Sequence, residues 1–246
     1  MSYKRFTPRM KLSDILHTNY FLLPIVHRFD IRYGIGDLSV AEICRERSID
    51  QDFFIEILNI YHDEHYFPEA ELLKADVRLI VGYLRKTHAY YVDYLLPSID
   101  SLIHTLVESG HAHNSTLGPV ASLFDEFSRE FRRHIDGEEQ QVFPYALSVA
   151  DAYRGQVDGK RPPIDWDGAI RRFEDEHLLM DEKLFDLKNL LIKYIGEPFD
   201  VHVCNSIIFE VDRLERDARD HARIEDRILF TAVEQMEKAL RGTTRQ

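Results

Sequence analysis

Apolar residues recur at helical spacing through most of the chain, whereas the alternation of apolar and polar residues that is typical of strands is scarce. Long stretches place apolar side chains at positions i, i+3, i+4 and i+7, which is the pattern of an amphipathic helix. Four such stretches of roughly 30 residues are joined by short polar loops: 76–109, 117–154, 165–195 and 200–240. The pattern predicts an up-and-down four-helix bundle.

Helix-ending residues refine the bounds of these stretches. Asp165 is a good N-cap for the third helix, and Gly196 and Pro198 should end it. Pro97 and Pro144 fall inside the first and second helices. Because proline lacks a backbone N–H, each predicts a local end or kink.

The first part of the chain carries shorter apolar stretches and predicts a separate, small helical domain. This domain should span residues 1–75, with the bundle occupying residues 76–246. Ser39, with Glu42 three residues later, has the pattern of a capping box at a helix start. Asp50 is the expected cap of the next helix.

Six polar residues stand on the otherwise apolar faces of the predicted bundle helices. The second and fourth helices each carry a histidine followed four residues later by a glutamate, and the first and third each carry a single histidine. The single and the paired histidines are 46 residues apart in the first half and 44 in the second, which indicates an internal pseudo-repeat. The six residues are His88, His134, Glu138, His177, His221 and Glu225.

This arrangement predicts a metal site. A lone histidine on an apolar face is often a hydrogen-bonded core residue, and a His–Glu pair at i and i+4 can be a local helix contact. Two uncompensated carboxylates inside a bundle nevertheless cost several kcal/mol each, and no lysine or arginine stands on the apolar faces to pair with them. A metal ion fits, because residues i and i+4 share one face of a helix and can hold one ion together.

The ligand types narrow the choice of metal. A set without thiolate disfavours a structural zinc site, and the histidines exclude the all-oxygen sites of calcium and magnesium. Mixed imidazole and carboxylate ligands suit iron or manganese. Four imidazoles, two bridging carboxylates and a bridging oxo or hydroxo group leave about one open position on each of two six-coordinate ions. An open position suits a small diatomic ligand.

Charge and cysteine content exclude other classes of function. The formal net charge of −12 argues against broad binding to nucleic acid or to an anionic membrane surface, because both need a basic face. Cys44 and Cys204 form no CxxC motif, which fits a reducing cytoplasm. The sequence shows neither a signal peptide nor an apolar run approaching the ~18 residues of a membrane span. We therefore expect a soluble cytoplasmic protein.

The metal-site pattern resembles the hemerythrin-like (HHE cation-binding) four-helix bundle with a non-haem di-iron centre. Within that superfamily the symmetric set of four histidines and two glutamates is most similar to the repair of iron centres (RIC) proteins, and residues 29–50 resemble their small N-terminal domain. The resemblance implies an all-α fold with two non-haem iron ions joined by an oxo or hydroxo group and bridged by both glutamates. The residues that carry it are His88, His134-x3-Glu138, His177 and His221-x3-Glu225.

The N-terminal domain departs from the RIC pattern at one place. RIC proteins usually carry adjacent cysteines where this chain has Gly34 and Ile35, and Cys44 lies about two helical turns too late to replace them. A thiol-dependent step is therefore not expected here. We predict that residues 1–75 serve packing or partner contacts, and that residues 76–246 fold and bind two iron ions without them.

The resemblance implies action under nitrosative or oxidative stress. The protein would supply iron to damaged iron–sulfur proteins, reduce nitric oxide as an enzyme, or do both. The alternatives are a sensor or reversible binder of O2 or NO, and iron storage or delivery without turnover. No catalytic residue is assigned. Four further side chains are expected around the centre, as hydrogen-bond donors or on a route for protons: Glu130, Glu176, Tyr91 and Tyr145.

Overall fold

The N-terminal segment, residues 5–75, is built from short helices that lie ahead of the bundle. The computed structural model of the protein describes residues 5–109, 115–155 and 166–243, so the predicted N-cap Asp165 lies outside the described residues. An isolated antiparallel bridge joins Lys11 and Ser39, and the described residues form no strand. The elements of this segment are α1 (Leu12–Thr18), a 3-10 turn (Tyr20–Leu22), α2 (Leu23–His27), α3 (Val40–Arg47), α4 (Gln51–His62) and α5 (Glu69–Leu72).

Polar caps begin two of these helices where the sequence predicts them. The Ser39 hydroxyl accepts a hydrogen bond from the backbone N–H of Glu42, and the Glu42 carboxylate accepts one from the backbone N–H of Ser39. The predicted capping box is therefore confirmed. The Asp50 carboxylate accepts from the backbone N–H of Phe53 at 2.9 Å and caps α4. Both caps satisfy amide groups that a helix start leaves free.

Four long helices follow, and each contains a π-helical turn. Sequential helices pack side by side, and the fourth packs against the first. The start of the first contacts the end of the second, so neighbours run antiparallel. The all-α, up-and-down bundle is thus confirmed. The elements are α6 (Val77–Tyr90), a π turn (Tyr91–Leu95) and α7 (Leu96–Ser109); α8 (Leu117–Gly137), a π turn (Glu138–Val142) and α9 (Phe143–Tyr153); α10 (Trp166–Asn189) and a π turn (Leu190–Tyr194); and α11 (Val201–Ile224), a π turn (Glu225–Phe230) and α12 (Thr231–Thr243).

The two prolines inside the bundle do not end their helices. Pro97 and Pro144 each stand at the second position after a π turn, and helix continues beyond both. Proline cannot donate to the carbonyl four residues earlier. A π turn bonds residue i to residue i+5, so the shifted pattern just before each proline accommodates the missing donor.

No described helix is long and apolar enough to cross a bilayer.

Two apolar clusters fill the protein, one on each side of the six polar residues. The shared cluster combines the N-terminal segment with one end of the bundle and includes Phe54, Leu84, Phe143 and Phe230. The distal cluster fills the other end of the bundle. Its members include Leu95, Phe127, Leu187 and Leu214. The six polar residues therefore form a layer between two apolar cores.

The shared cluster bears on the predicted division at residue 75. The N-terminal segment buries its apolar side chains against the bundle, and polar contacts join the same two parts. Arg227 pairs with Glu69 at 2.7 Å, and Arg223 donates to the backbone carbonyl of Tyr66 at 3.2 Å. The separate domains remain a prediction. A chain that starts at residue 76 would expose the bundle side of this cluster to water, so we now expect it to be less stable than the full chain.

Replacement of Phe54 by Ala tests the shared cluster, because it removes a fully buried ring from the N-terminal segment. We expect the free energy of unfolding to fall by about 3–5 kcal/mol, and the bundle to unfold in the same transition. Urea unfolding followed by far-ultraviolet circular dichroism measures both. Phe209→Ala is the control, since that ring is 72% exposed and its loss should change stability by about 0.5 kcal/mol or less. Two separate transitions, with only the smaller one shifted, would contradict a shared core.

Candidate metal centre

The six predicted ligands come together in the polar layer, and every bundle helix contributes. His88 lies near the end of α6, His134 near the end of α8, and His177 in the middle of α10. His221 lies one turn before the end of α11. Both glutamates open a π turn and have no solvent-exposed surface. Such turns are frequent at functional sites.

The first half of the centre joins helices one, two and four. The Nε2 atoms of His88 and His221 are 3.1 Å apart. The same Nε2 atom of His88 lies 3.1 Å from Oε2 of Glu138. One ligand atom from each of these three residues falls within 4.8 Å of the others, so the three can hold one ion.

The second half joins helices two and three and uses the same glutamate. Oε1 of Glu138 lies 2.8 Å from Nε2 of His134 and 3.6 Å from Nε2 of His177. These three residues form a second set whose ligand atoms converge within 4.8 Å. Glu138 thus offers one carboxylate oxygen to each half.

Glu225 also faces both halves, at longer distances. Its Oε2 atom is 3.8 Å from Nε2 of His177 and 3.8 Å from Nε2 of His221. It belongs to neither of the two tight sets. Its position between histidines of different halves is nevertheless that of a second bridging carboxylate.

The carboxylate oxygens of this layer have the environment of cation ligands. All four oxygens of Glu138 and Glu225 are buried, and none receives a hydrogen bond from the part of the chain that the structure describes. A buried carboxylate without a partner costs several kcal/mol. A cation held by the surrounding imidazoles would offset that cost, so this donor set fits a metal ion.

The two glutamates differ in their affinity for protons. Burial favours the neutral form of Glu138, but the imidazoles of His134, His177 and His88 outweigh it and lower the pKa of this carboxyl well below its ordinary value. Burial and the charge of Glu138 raise the pKa of Glu225 well above its ordinary value. Like charges in one buried site separate in this way.

Among the histidines, His177 and His221 are perturbed in opposite directions. Burial disfavours the charged form of His177, but Asp226 and Glu138 outweigh it and raise its pKa to about 10. Burial and the imidazole of His88 lower the pKa of His221 well below its ordinary value. A metal ligand must present a neutral nitrogen, so metal binding would displace the proton from His177.

Carboxylates lie near the outer nitrogens of three of the histidines, with a hydrogen bond at His88 and His134 and a charge pair without a hydrogen bond at His177. Nδ1 of His88 lies 3.0 Å from Glu139. Nδ1 of His134 lies 2.8 Å from Glu176, and Nδ1 of His177 lies 3.4 Å from Asp226. An acceptor at the outer nitrogen orients the ring and directs the other nitrogen at a metal. Inward Nε2 atoms with outer carboxylates are therefore the pattern of metal-binding histidines.

His221 is the exception. Among the described residues its buried Nδ1 atom has neither a hydrogen-bond partner nor a carboxylate nearby, whereas Nδ1 of His177, which also lacks a hydrogen bond, lies 3.4 Å from Asp226. In the pseudo-repeat His221 matches His134, whose partner Glu176 directly precedes His177. The corresponding position, directly before His88, is Thr87, and its hydroxyl donates to its own helix. The two halves of the centre are thus unequal.

Two of the four additional predicted residues lie at the centre, and two lie elsewhere. Glu176 contacts His134, and Tyr91 lines the cavity beside the ligands. Glu130 instead pairs with Lys183 at 2.6 Å, because helix three presents a lysine to that face. Tyr145 lies in the shared cluster and donates to Glu237. The roles predicted for Glu130 and Tyr145 around the centre therefore stay predictions, and these contacts do not support them.

Two outer carboxylates were missed, although the sequence carries a signal for them. Glu139 and Asp226 directly follow the two glutamates of the pseudo-repeat. Each contacts the histidine of the preceding helix. The signal in the sequence is an acidic residue directly after the glutamate in both halves of the pseudo-repeat.

A cavity of about 310 Å³ adjoins the ligand layer. Histidines and Glu138 line one side of it. Apolar side chains line much of the rest, including Tyr91, Phe131, Met180 and Leu184. Four charged side chains complete the lining: Asp181, Arg219, Arg223 and Asp226. This volume lies at the small end of the range for ligand sites, so the cavity suits a small molecule.

Comparison with known proteins agrees with this geometry. The family model of the hemerythrin HHE cation binding domain matches residues 79–233, which include all six candidate ligands. A comparison with curated protein sequences finds no significant match. The matched region covers more than half of the 246 residues. The chain therefore belongs to the hemerythrin HHE cation-binding family, whose members bind metal ions.

Proposed function

We propose that this protein is a non-haem di-iron protein whose centre binds O2 or NO. The observation that carries the proposal is the position of Glu138, which offers one oxygen to each of two histidine sets. A shared carboxylate is what a pair of neighbouring ions needs. The proposed ligands are His88, His134, Glu138, His177, His221 and Glu225, with both glutamates as bridges.

The donor set favours iron over a thiolate-bound metal. Cys44 lies in the shared cluster and Cys204 in the distal cluster, away from the ligand layer. Burial and the charge of Asp50 raise the pKa of the Cys44 thiol to about 11, so this cysteine stays protonated near neutral pH. Mixed imidazole and carboxylate ligands suit iron. A Cys44 thiol that stays protonated also supports the proposal that the N-terminal segment has no redox role.

The biological setting that we propose is nitrosative or oxidative stress. Its support is the resemblance of the symmetric ligand set, and of residues 29–50, to RIC proteins. In reduction of nitric oxide, two NO molecules, two protons and two electrons give N2O and water. A bound ferrous pair would supply the two electrons. The side chains of the chain would hold the metal ligands in place beside the cavity.

Metal analysis tests the proposed centre. Protein purified from iron-replete cells should contain about two iron ions per chain. Chelation should lower the melting temperature, because a metal bound only by the folded state stabilises that state by RT ln(1 + [L]/Kd). Elemental analysis and calorimetry measure these quantities. One zinc ion per chain, with no uptake of ferrous iron, would overturn the di-iron proposal.

Nitric oxide chemistry separates turnover from binding. Anaerobic addition of NO to the protein loaded with ferrous iron should yield N2O, followed by gas chromatography. Each loaded chain should give about one N2O without an added electron donor, because two electrons are stored per centre. Stable NO adducts without N2O would favour a sensor or reversible binder. Iron release in place of either product would favour storage or delivery.

Replacement of individual ligands tests the bridging roles. Glu138→Ala and Glu225→Ala remove contacts to both halves of the centre, whereas His88→Ala removes contacts to one. We expect less iron per folded chain in both glutamate variants than in the His88 variant. Glu130→Ala is the control and should keep the full iron content, because Glu130 pairs with Lys183. Equal iron content in all four variants would count against the bridges.

A further inference from the structure

A buried carboxylate outside the proposed ligand set lies one helical turn before His221. Asp217 is only 6% exposed, and both of its oxygens have partners. Oδ1 accepts a hydrogen bond from the Tyr91 hydroxyl at 2.6 Å, and Oδ2 pairs with Nη2 of Arg28 at 2.6 Å. The proposed ligand set does not account for this group.

Arg28 reaches the bundle from the N-terminal segment. It directly follows α2 and is 4% exposed. Besides Asp217, its guanidinium donates to the phenol oxygens of Tyr83 at 3.2 Å and Tyr61 at 3.3 Å. The cation also lies 5.0 Å from the centre of the Tyr90 ring. A fully desolvated arginine with this many partners is held in one place.

The contact between Tyr91 and Asp217 joins the two helices that carry His88 and His221. Tyr91 follows His88 by three residues, and Asp217 precedes His221 by four. Residues at these spacings lie on the same helix face, so the hydrogen bond spans the two helices one turn from both histidines. The Tyr91 ring also packs edge-on against the His221 ring, with centroids 5.8 Å apart.

The other half of the centre has a different arrangement. In the pseudo-repeat, Glu130 stands where Asp217 stands, and Met180 stands where Tyr91 stands. Glu130 pairs with Lys183 in a partly exposed position. His221 is also the histidine without an outer carboxylate. The contact with Tyr91 therefore acts on an imidazole whose Nδ1 atom has no hydrogen-bond partner among the described residues.

We propose that Arg28, Asp217 and Tyr91 form a clamp through which the N-terminal segment positions His88 and His221. The clamp residues touch no metal position themselves, so they are positioning residues. Arg28 holds the Asp217 carboxylate, Asp217 holds the Tyr91 hydroxyl, and the Tyr91 ring fixes the His221 imidazole. The inference rests on the proposed metal function. It adds that the first ion site depends on the N-terminal segment and the second does not, contrary to the expectation from the sequence that residues 76–246 bind two iron ions by themselves.

Tyr91→Phe is the decisive variant, because it removes one hydroxyl and keeps the ring. The probe is Co2+ added to metal-free protein under anaerobic conditions, followed by calorimetry and visible absorption. The parent protein should bind two equivalents. In the variant, one equivalent should bind about 10- to 100-fold more weakly, as for other outer partners of metal ligands. The absorption bands of that equivalent should change, and the other should be unaffected.

Two controls distinguish a specific effect of the clamp on metal affinity from a general loss of stability. Tyr66→Phe removes a partly buried hydroxyl of the N-terminal segment that donates to Glu56, outside the clamp, so both affinities should stay at the parent value. Lys183→Gln breaks the exposed pair in the other half and should also leave both unchanged. Arg28→Lys should also weaken the first equivalent. If Arg28 acts through Tyr91, the double variant Arg28→Lys, Tyr91→Phe should bind this equivalent no more weakly than the single variant with the lower affinity.

The possible results distinguish failure of the clamp from failure of the proposed metal function. If Tyr91→Phe binds both equivalents with the affinities and spectrum of the parent protein, the clamp is overturned and the metal function stands. Equal weakening of both equivalents also overturns it, because the clamp would then support the bundle as a whole. A parent protein that binds no Co2+ and no ferrous iron overturns both.

Discussion

The desolvation of Glu138 and Glu225 is the constraint on which the arrangement of the bundle depends. Both carboxylates have no exposed surface and no hydrogen bond from the described residues. Apolar clusters lie on both sides of them. Positive charge in the layer stabilises buried carboxylates in their ionised form. His88, His134 and His177, whose pKa values are raised, provide it in part, and a metal pair would complete it.

The same constraint explains the ring of acidic residues outside the histidines. Glu139, Glu176 and Asp226 lie beside the outer nitrogens, so acidic groups surround the histidines that surround the two glutamates. The pseudo-repeat builds most of this arrangement twice. It fails at Thr87, where His221 has no acidic partner, and at Asp217, which pairs with a buried arginine where its counterpart Glu130 pairs with a partly exposed lysine. The differences fall on the same half of the centre.

The fold and the six-residue site could be predicted because both depend on local spacing. Helical periodicity fixes the face on which a residue lies, and His134 with Glu138 is a pattern that one helix contains by itself. Periodicity does not give the partner across the interface. Glu130 shares the face of His134 but meets Lys183. The contact of Arg28 with Asp217 joins residues 189 positions apart, and each reads in the sequence as an ordinary surface charge.

The π turns have a consequence for how the helices change their buried face. One residue of an α-helix corresponds to about 100° of rotation, and a π turn holds an extra residue relative to the α pattern. Three of these turns lie where a bundle helix passes from one apolar cluster to the other: Tyr91–Leu95, Glu138–Val142 and Glu225–Phe230. In each of these three helices the rotational phase of the side chains therefore shifts at the ligand layer. The parts of the helix before and after the turn bury different faces. A one-residue deletion there would rotate half a helix out of register, whereas the same deletion in a loop would leave both faces in place.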